Sequence, residues 1–146
     1  MEKANQKFRA LLALWNEKRG TRQMPARGDL DVSALKPWLG NLALIDVGKD
    51  GQAKFRLCGT NLHARFGGEM TRRSVSALDV HIGGELQNSI FEVCQSHAPK
   101  ELRHDRVIEG TVTSFRELCL PLSDDGQSVH MLLLASYPVK QRETQG

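Results

Sequence analysis

Phe8, Leu11, Leu12 and Trp15 fall at i, i+3, i+4 and i+7, so residues 5–19 predict an amphipathic helix that Gly20 ends. Its apolar stripe needs burial, either on a sheet of the same chain or on a second subunit. An extended segment follows, then a short helix for which Asp31 supplies an N-cap oxygen and Leu30 and Leu35 a hydrophobic staple. Pro37 forbids a long smooth helix and starts a second short turn carrying Trp38 and Leu39. Two strands, 42–48 and 53–59, flank "KDGQ", whose Asp-Gly signals a hairpin. After Gly59 the stretch "NLHARFGG" predicts a short helix, with Thr60 as its N-cap and Gly67-Gly68 as a left-handed stop. "SVSALDV" reads as a further short helical piece. Residues 83–99 predict a longer helix, with Leu86, Ile90, Val93 and Cys94 on one face and Pro99 as its end.

The last third changes to strand: 100–109, 113–123 and 128–139, joined by "GTV" and "DDGQ". "LALI" and "MLLLA" are apolar at consecutive positions, so those strands are covered on both faces. The expected fold class is α+β: a five-stranded antiparallel sheet with short helices on one face and an N-terminal helix for the other.

At 146 residues the chain suits one domain, and its 40% hydrophobic content is that of a globular protein. It divides into an N-terminal helix and basic arm at 1–27, a domain at 28–139 and a tail at 140–146. No apolar run approaches the ~20 residues of a membrane span, and the first residues lack the shape of a signal peptide. The cytoplasm is the expected compartment and no membrane is expected as a partner. Cys58, Cys94 and Cys119 are odd in number and widely spaced, so reduced thiols are expected; no Cys-x-x-Cys or His-Glu-x-x-His points to a metal. The net charge of +3 is uneven: seven Lys or Arg against two Glu in residues 1–27 leave the remainder at −2. Such an arm can bind nucleic acid, but its interrupted spacing fits a solvated helix face better.

"LLALWNEKRGTRQMPARGDLDV", the block "LALIDV…FRLCGT…FGGEMTRR" and "ELCLPLSDDGQSVHMLLLAS" together carry a resemblance to the PAS-like sensor domains of proteobacteria, over roughly residues 8–136. The resemblance implies a small-molecule ligand between the sheet and the central helices, a homodimer and a signalling-protein partner. Carried over by position, the ligand-pocket candidates at the strand-to-helix corner are Phe55, Leu57, Asn61, His63 and Phe66. Ile90, Phe91 and Cys94 would form a wall, and Leu118, Leu120, Leu132 and Leu134 a floor. Phe8, Leu11, Leu12 and Trp15 would form the dimer and output helix. Periodicity says of these residues only that they are buried.

No catalytic set stands out. Cys58 and His63 straddle a strand end and a helix, and a cysteine there is most simply a small core residue. Asp46, Glu85 and Glu117 are scattered along the sequence, and Arg56 is expected on the surface or paired across the sheet, for example with Glu117. Arg72 and Arg73 read as a solvated basic turn. His63, His81 and His97 are the positions from which a haem ligand would come, and a lone histidine on a short helix is usually a surface or capping residue. PAS folds with flavin photochemistry carry a Gly-x-Asn-Cys-Arg-Phe-type motif; here "GTNLHARF" puts Leu62 at the cysteine position. No metal and no resident cofactor are therefore expected. The corner is expected to be mainly architecture, with Asn61, His63 and Arg65 placed to meet a polar ligand. The expected function is non-catalytic sensing and protein interaction in bacterial signal transduction. The alternatives are a small cavity-containing α+β enzyme, or nucleic-acid binding through the basic arm.

Overall fold

A computed structural model describes residues 2–78 and 80–139; the tail 140–146 lies outside the described residues. Helix α1 (Glu2–Arg19) and the short α2 (Val32–Leu35) precede the hairpin β1 (Leu42–Val47) and β2 (Ala53–Cys58). Then come α3 (His63–Phe66), α4 (Val80–Ser96) and the strands β3 (Lys100–Ile108), β4 (Thr111–Leu122) and β5 (Met131–Pro138). All strand pairs are antiparallel, in the order β2-β1-β5-β4-β3. Hairpin connections alone would keep β1 beside β2 and β3 beside β4 beside β5; the pairing of β1 with β5 closes the sheet across the chain.

Several local expectations hold. The Asp31 carboxylate accepts from the Ala34 N–H and caps α2, between the buried Leu30 and Leu35. Pro37 opens a 3₁₀ turn, Lys36–Asn41, that buries Trp38. Gly67 ends α3 with φ of 85°. Others shift. Thr60 is not the N-cap: Gly59 holds that position with no side-chain bond. Gly59 is required for a different reason, since a methyl group there would stand 2.4 Å from the Gly40 carbonyl oxygen and 2.6 Å from that of Leu39. Helix α4 begins at Val80 rather than 83, with Gly83 and Gly84 inside it. Gly83 packs under the preceding turn, where a Cβ would meet the Val75 carbonyl oxygen at 3.1 Å. Between β3 and β4 the chain reverses over Glu109 (φ 50°) and Gly110 (φ 81°), a two-residue turn.

Side-chain alternation gives the sheet two faces. Helix α1 covers the outer one. There Trp15 Nε1 donates to the Pro121 carbonyl at 2.9 Å, Phe8 packs edge-on against Tyr137 at 5.8 Å, and the Arg116 guanidinium lies 5.4 Å from the Phe8 ring centre. The other face, the inner one, lies under α3 and α4. One hydrophobic cluster runs through both layers, from Ala4, Phe8, Leu11 and Trp15 to Ile90 and Leu134. Within this chain the α1 stripe packs on the sheet: Phe8, Leu11 and Trp15 are buried there and Leu12 is half-buried.

The basic arm is largely engaged in local bonds. Lys7 donates to the Pro37 carbonyl, Arg19 to Asn16 and the Arg22 carbonyl, Arg22 to the Lys18 carbonyl and Asp29, and Arg27 to the Leu30 carbonyl. Arg22, donating to the Lys18 and Arg19 carbonyls, satisfies open carbonyls at the C-terminal end of α1, and the bonds of Arg19, Arg22 and Arg27 fix the turn that follows.

Candidate functional site

The inner face of the sheet is apolar at its β1–β2 end and polar at its β3–β4 end. Residues of β4 alternate: Phe115, Glu117 and Cys119 point inward, while Arg116, Leu118 and Leu120 point toward α1. The β4–β5 register sets Glu117 opposite Ser136 and Cys119 opposite Leu134 on that inner face. Glu117 is therefore a carboxylate carried into the core by strand periodicity, and its side chain is 0% exposed.

It is fully engaged. Arg65 Nε donates to Glu117 Oε2 at 2.6 Å, and the Arg65 side chain is 1% exposed. The Ser136 hydroxyl donates to the same oxygen at 2.8 Å. On β3, His104 turns its ring inward, with Nε2 at 3.3 Å from Glu117 Oε1 and Nδ1 against Glu85 Oε2 of α4. The His104 Nε2 atom is buried and, although close to the Glu117 carboxylate, makes no aligned hydrogen bond among the described residues. Arg106, two residues on, donates to the Arg65 carbonyl at 2.8 Å. The Arg65 guanidinium also lies over the rings of Phe66 and Phe115, at 5.1 and 5.8 Å. One guanidinium, two carboxylates, an imidazole and a hydroxyl thus tie α3, α4, β3, β4 and β5 together. A buried charge demands such a set of partners.

The structure distributes the pocket candidates unevenly. Phe55, Phe66, Ile90, Leu132 and Leu134 are buried in the inner layer, with the Phe55 and Phe66 rings 5.2 Å apart. Cys94 is partly buried against the same core. Leu118 and Leu120 do not form a floor under the central helices; they are buried on the α1 face because they occupy the even positions of β4. Leu57 is 40% exposed: it pairs with Leu44, after a bulge that skips Arg56 in the backbone register with β1. Phe91 is 62% exposed, on the helix face that Ile90 and Val93 leave to solvent. Asn61 is exposed and donates to the Asn41 side chain, and the His63 ring faces Glu69 at 3.4 Å. The expected pairing of Arg56 with Glu117 is replaced by Arg56 with Asp46, at 3.0 Å.

Reactive chemistry finds no support in the thiols. The Cys58 sulfur lies by the Gly59 carbonyl, the His63 ring faces Glu69, and burial pushes the Cys58 thiol up. Burial does the same to Cys94, and Cys119 is raised by burial first and the Glu117 charge second. Among the described residues no group of His, Cys, Asp and Glu is arranged to hold a metal. His97 meets Gln23 at 3.2 Å, while the side chain of His81 lies outside the described residues. No described helix is long and apolar enough to cross a membrane.

Sequence reasoning passed over His104 and Ser136, and set Glu85 and Glu117 aside as scattered carboxylates. A usable signal existed in "SFRELCLPL": an acid at period two with Phe115 and Cys119 sits on a buried face and calls for a cation elsewhere. What the sequence could not show is that α3, more than fifty residues earlier, supplies that cation.

A curved antiparallel sheet in this strand order, with short helices closing one face and a longer helix beside them, is the PAS class of fold. The chain belongs to the PAS domain family, whose model matches residues 3–135. No curated protein matches the sequence. Solved structures with this fold include the PAS domain of Bordetella pertussis BvgS, with TM-score 0.54 and 13% identity over 76% of this chain and 88% of that one. A light-oxygen-voltage domain studied with a flavin analogue aligns with TM-score 0.55 and 13% identity, over 75% of this chain and 84% of that one. A sensory box sensor histidine kinase from Vibrio cholerae aligns with TM-score 0.50 and 14% identity, over 97% and 98% of the two chains. At such identities these superpositions show the fold alone. PAS domains are in general sensory modules of signal transduction, not catalysts.

Proposed function

We propose that this chain is a non-catalytic bacterial PAS sensor that binds a small molecule between the inner sheet face and helices α3 and α4. It passes the bound state on through a homodimer or a signalling-protein partner. The observation that carries this reading is the Arg65–Glu117–His104–Glu85 cluster set in an otherwise apolar layer. A few convergent polar groups among apolar walls are what a small-molecule site uses to orient its ligand. His104 Nε2, which faces Glu117 without an aligned hydrogen bond, is the atom for which such a ligand would compete. Because the cluster joins α3 and α4 to three strands, a ligand that competes for His104 shifts how the helices sit on the sheet. Helix α1, packed on the opposite face of β4 and β5, is the proposed output element.

The enzyme alternative draws on the carboxylate–imidazole contact of Glu85 and His104, the arrangement of a base and its orienting acid. In this chain the second ring nitrogen faces Glu117 and not a hydroxyl or thiol. That geometry supports recognition over nucleophilic catalysis. The cytoplasm is the proposed compartment.

Native mass spectrometry of freshly purified protein tests the reading. A small molecule that co-purifies, is lost on denaturation and is no longer retained by His104→Leu is the expected result. Protein that stays unliganded both as purified and after incubation with a cell metabolite extract would overturn it. Visible absorbance is expected to be featureless, and no photochemical adduct is expected in any case, because the buried Leu62 stands where flavin photochemistry of this fold uses a cysteine. A Soret or flavin band that survives gel filtration would contradict that.

A further inference from the structure

The two edges of the sheet are treated differently. At β2 the segment 70–74 folds back as a cover: Phe55 N–H donates to the Arg73 carbonyl, Arg72 N–H to the Phe55 carbonyl, and Lys54 bridges to Ser74. The other edge, β3, is nine residues long, and among the described residues no segment pairs with its outer side. An uncovered edge of that length presents a row of backbone donors and acceptors to any strand that fits.

Charged side chains ordinarily guard such an edge, because a second copy brings like charges together. The order of charges on β3 reverses that outcome. On its outer face stand Glu101, Arg103, Asp105 and Val107. Glu101 is taken by Arg116. Arg103 is exposed, lies directly opposite the like-charged Arg116 on β4, and makes no ion pair among the described residues. Like charges so placed oppose each other. Asp105 is exposed, and its partner is the Ser114 hydroxyl at 2.6 Å. A cation and an anion two residues apart on one face are self-complementary across a two-fold axis midway between them.

We propose that β3 pairs antiparallel with β3 of a second copy about an axis at His104, joining the two five-stranded sheets into one. In this register residue 100 faces 108, 101 faces 107, 102 faces 106 and 103 faces 105. All nine residues of the strand are paired, and Arg103 meets the partner's Asp105 twice, once on each side of the axis. Each Asp105 then lies beside the partner's Arg103, which separates it from the partner's Arg116. Val107, 64% exposed in one copy, comes to lie beside the partner's Glu101. Glu101 borders a cleft of about 410 Å³ under α1, whose apolar lining is Phe8, Leu12, Pro99 and Leu118. The contact is isologous and closes at two copies. His104, on the axis, keeps its ring on the inner face against Glu85 of its own chain. The proposal extends the homodimer part of the reading above, and it places the contact away from the α1 stripe, which is already buried.

The test is a charge swap read by light scattering and sedimentation over a concentration series, with dichroism to verify folding. Wild type is expected to dimerise. Arg103→Asp and Asp105→Arg, each placing like charges opposite one another, are expected to weaken dimerisation about tenfold or more. Combining the two recreates both pairs and is expected to restore the affinity. A dimer indifferent to the single changes, or one the double variant fails to restore, overturns this interface and leaves the homodimer reading standing. A monomer at every concentration overturns both. Amide exchange on the unmodified protein decides independently of any variant: β3 amides gaining protection as concentration rises support the pairing, and unchanged exchange rules it out.

Discussion

Arg65 and Glu117 show what a single buried residue demands of its surroundings. Neither side chain has meaningful contact with water, so each ion depends on the other. Arg65→Met should destabilise the protein by about 3–5 kcal/mol in chemical denaturation, because it leaves the buried Glu117 carboxyl without its cation. Replacing both, as Arg65→Met with Glu117→Leu, should recover much of the loss; a double variant as weak as the single would show that the pair contributes more than its own desolvation. Tyr137 is the one tyrosine in the chain, and burial pushes its phenol up to about 12. The folded state therefore holds the proton more tightly than the unfolded one. That contribution is intact below the ordinary phenol value of about 10 and is lost as pH rises from there through about 12. Ultraviolet titration should give a midpoint well above that of free tyrosine, and a midpoint near 10 would mean that the ring is wetter than its packing on Phe8 implies. Asp125 behaves in the opposite sense. The N–H groups of Ser128 and Gln127, then the Ser123 hydroxyl, hold its carboxyl down at about 2. Its contribution is present above the ordinary value of about 4 and disappears as pH falls from there through about 2. Carboxyl chemical shifts on acid titration would show it.

At the scale of elements, α1 and the Gly59 corner were legible to different degrees. The i, i+3, i+4, i+7 spacing places Phe8, Leu11 and Trp15 on one face, and that face is buried. Spacing could not say against what, because a sheet of the same chain and a second copy offer the same apolar surface. Leu11→Ala should cost about 2–5 kcal/mol, whereas Leu12→Ala, at a half-buried position, should cost clearly less. Equal losses would place the helix in a different rotation about its axis. At the corner, the turn was readable from Gly59 itself, but its cause was not, since the close carbonyls belong to Gly40 and Leu39, some twenty residues earlier. Gly59→Ala should therefore force the backbone apart and lower the melting temperature strongly, although its φ of −66° suits alanine. An unchanged melting temperature would mean that the corner can open. Ile90, buried on α4, should tolerate valine and not aspartate, which would strand a carboxylate among apolar groups at a cost of several kcal/mol.

For the molecule as a whole, one core passes through the sheet, so α1 is part of the fold and not an appendage. Burying Phe8, Leu11 and Trp15 contributes roughly 5–9 kcal/mol, comparable to the entire stability of a domain this size. A chain lacking residues 1–27 should accordingly lose cooperative unfolding and native near-ultraviolet dichroism; retention of both would make the helix a separable arm. The α+β class, the five strands and the position of the long helix were settled by patterns that each span fewer than twenty residues: helical and alternating periodicity, turn glycines and an N-cap. Local sterics and the need to bury apolar faces are enough for that. The polar cluster, the face to which each β4 residue turns, and the exposure of Leu57 and Phe91 were decided only by tertiary structure. Strand alternation assigns residues to one face or the other, but which face receives α3 and α4, and which α1, depends on how the strands are ordered across the sheet. Arg65, Glu85, His104, Glu117 and Ser136 carry no motif because their proximity arises from five elements that meet once the chain has folded.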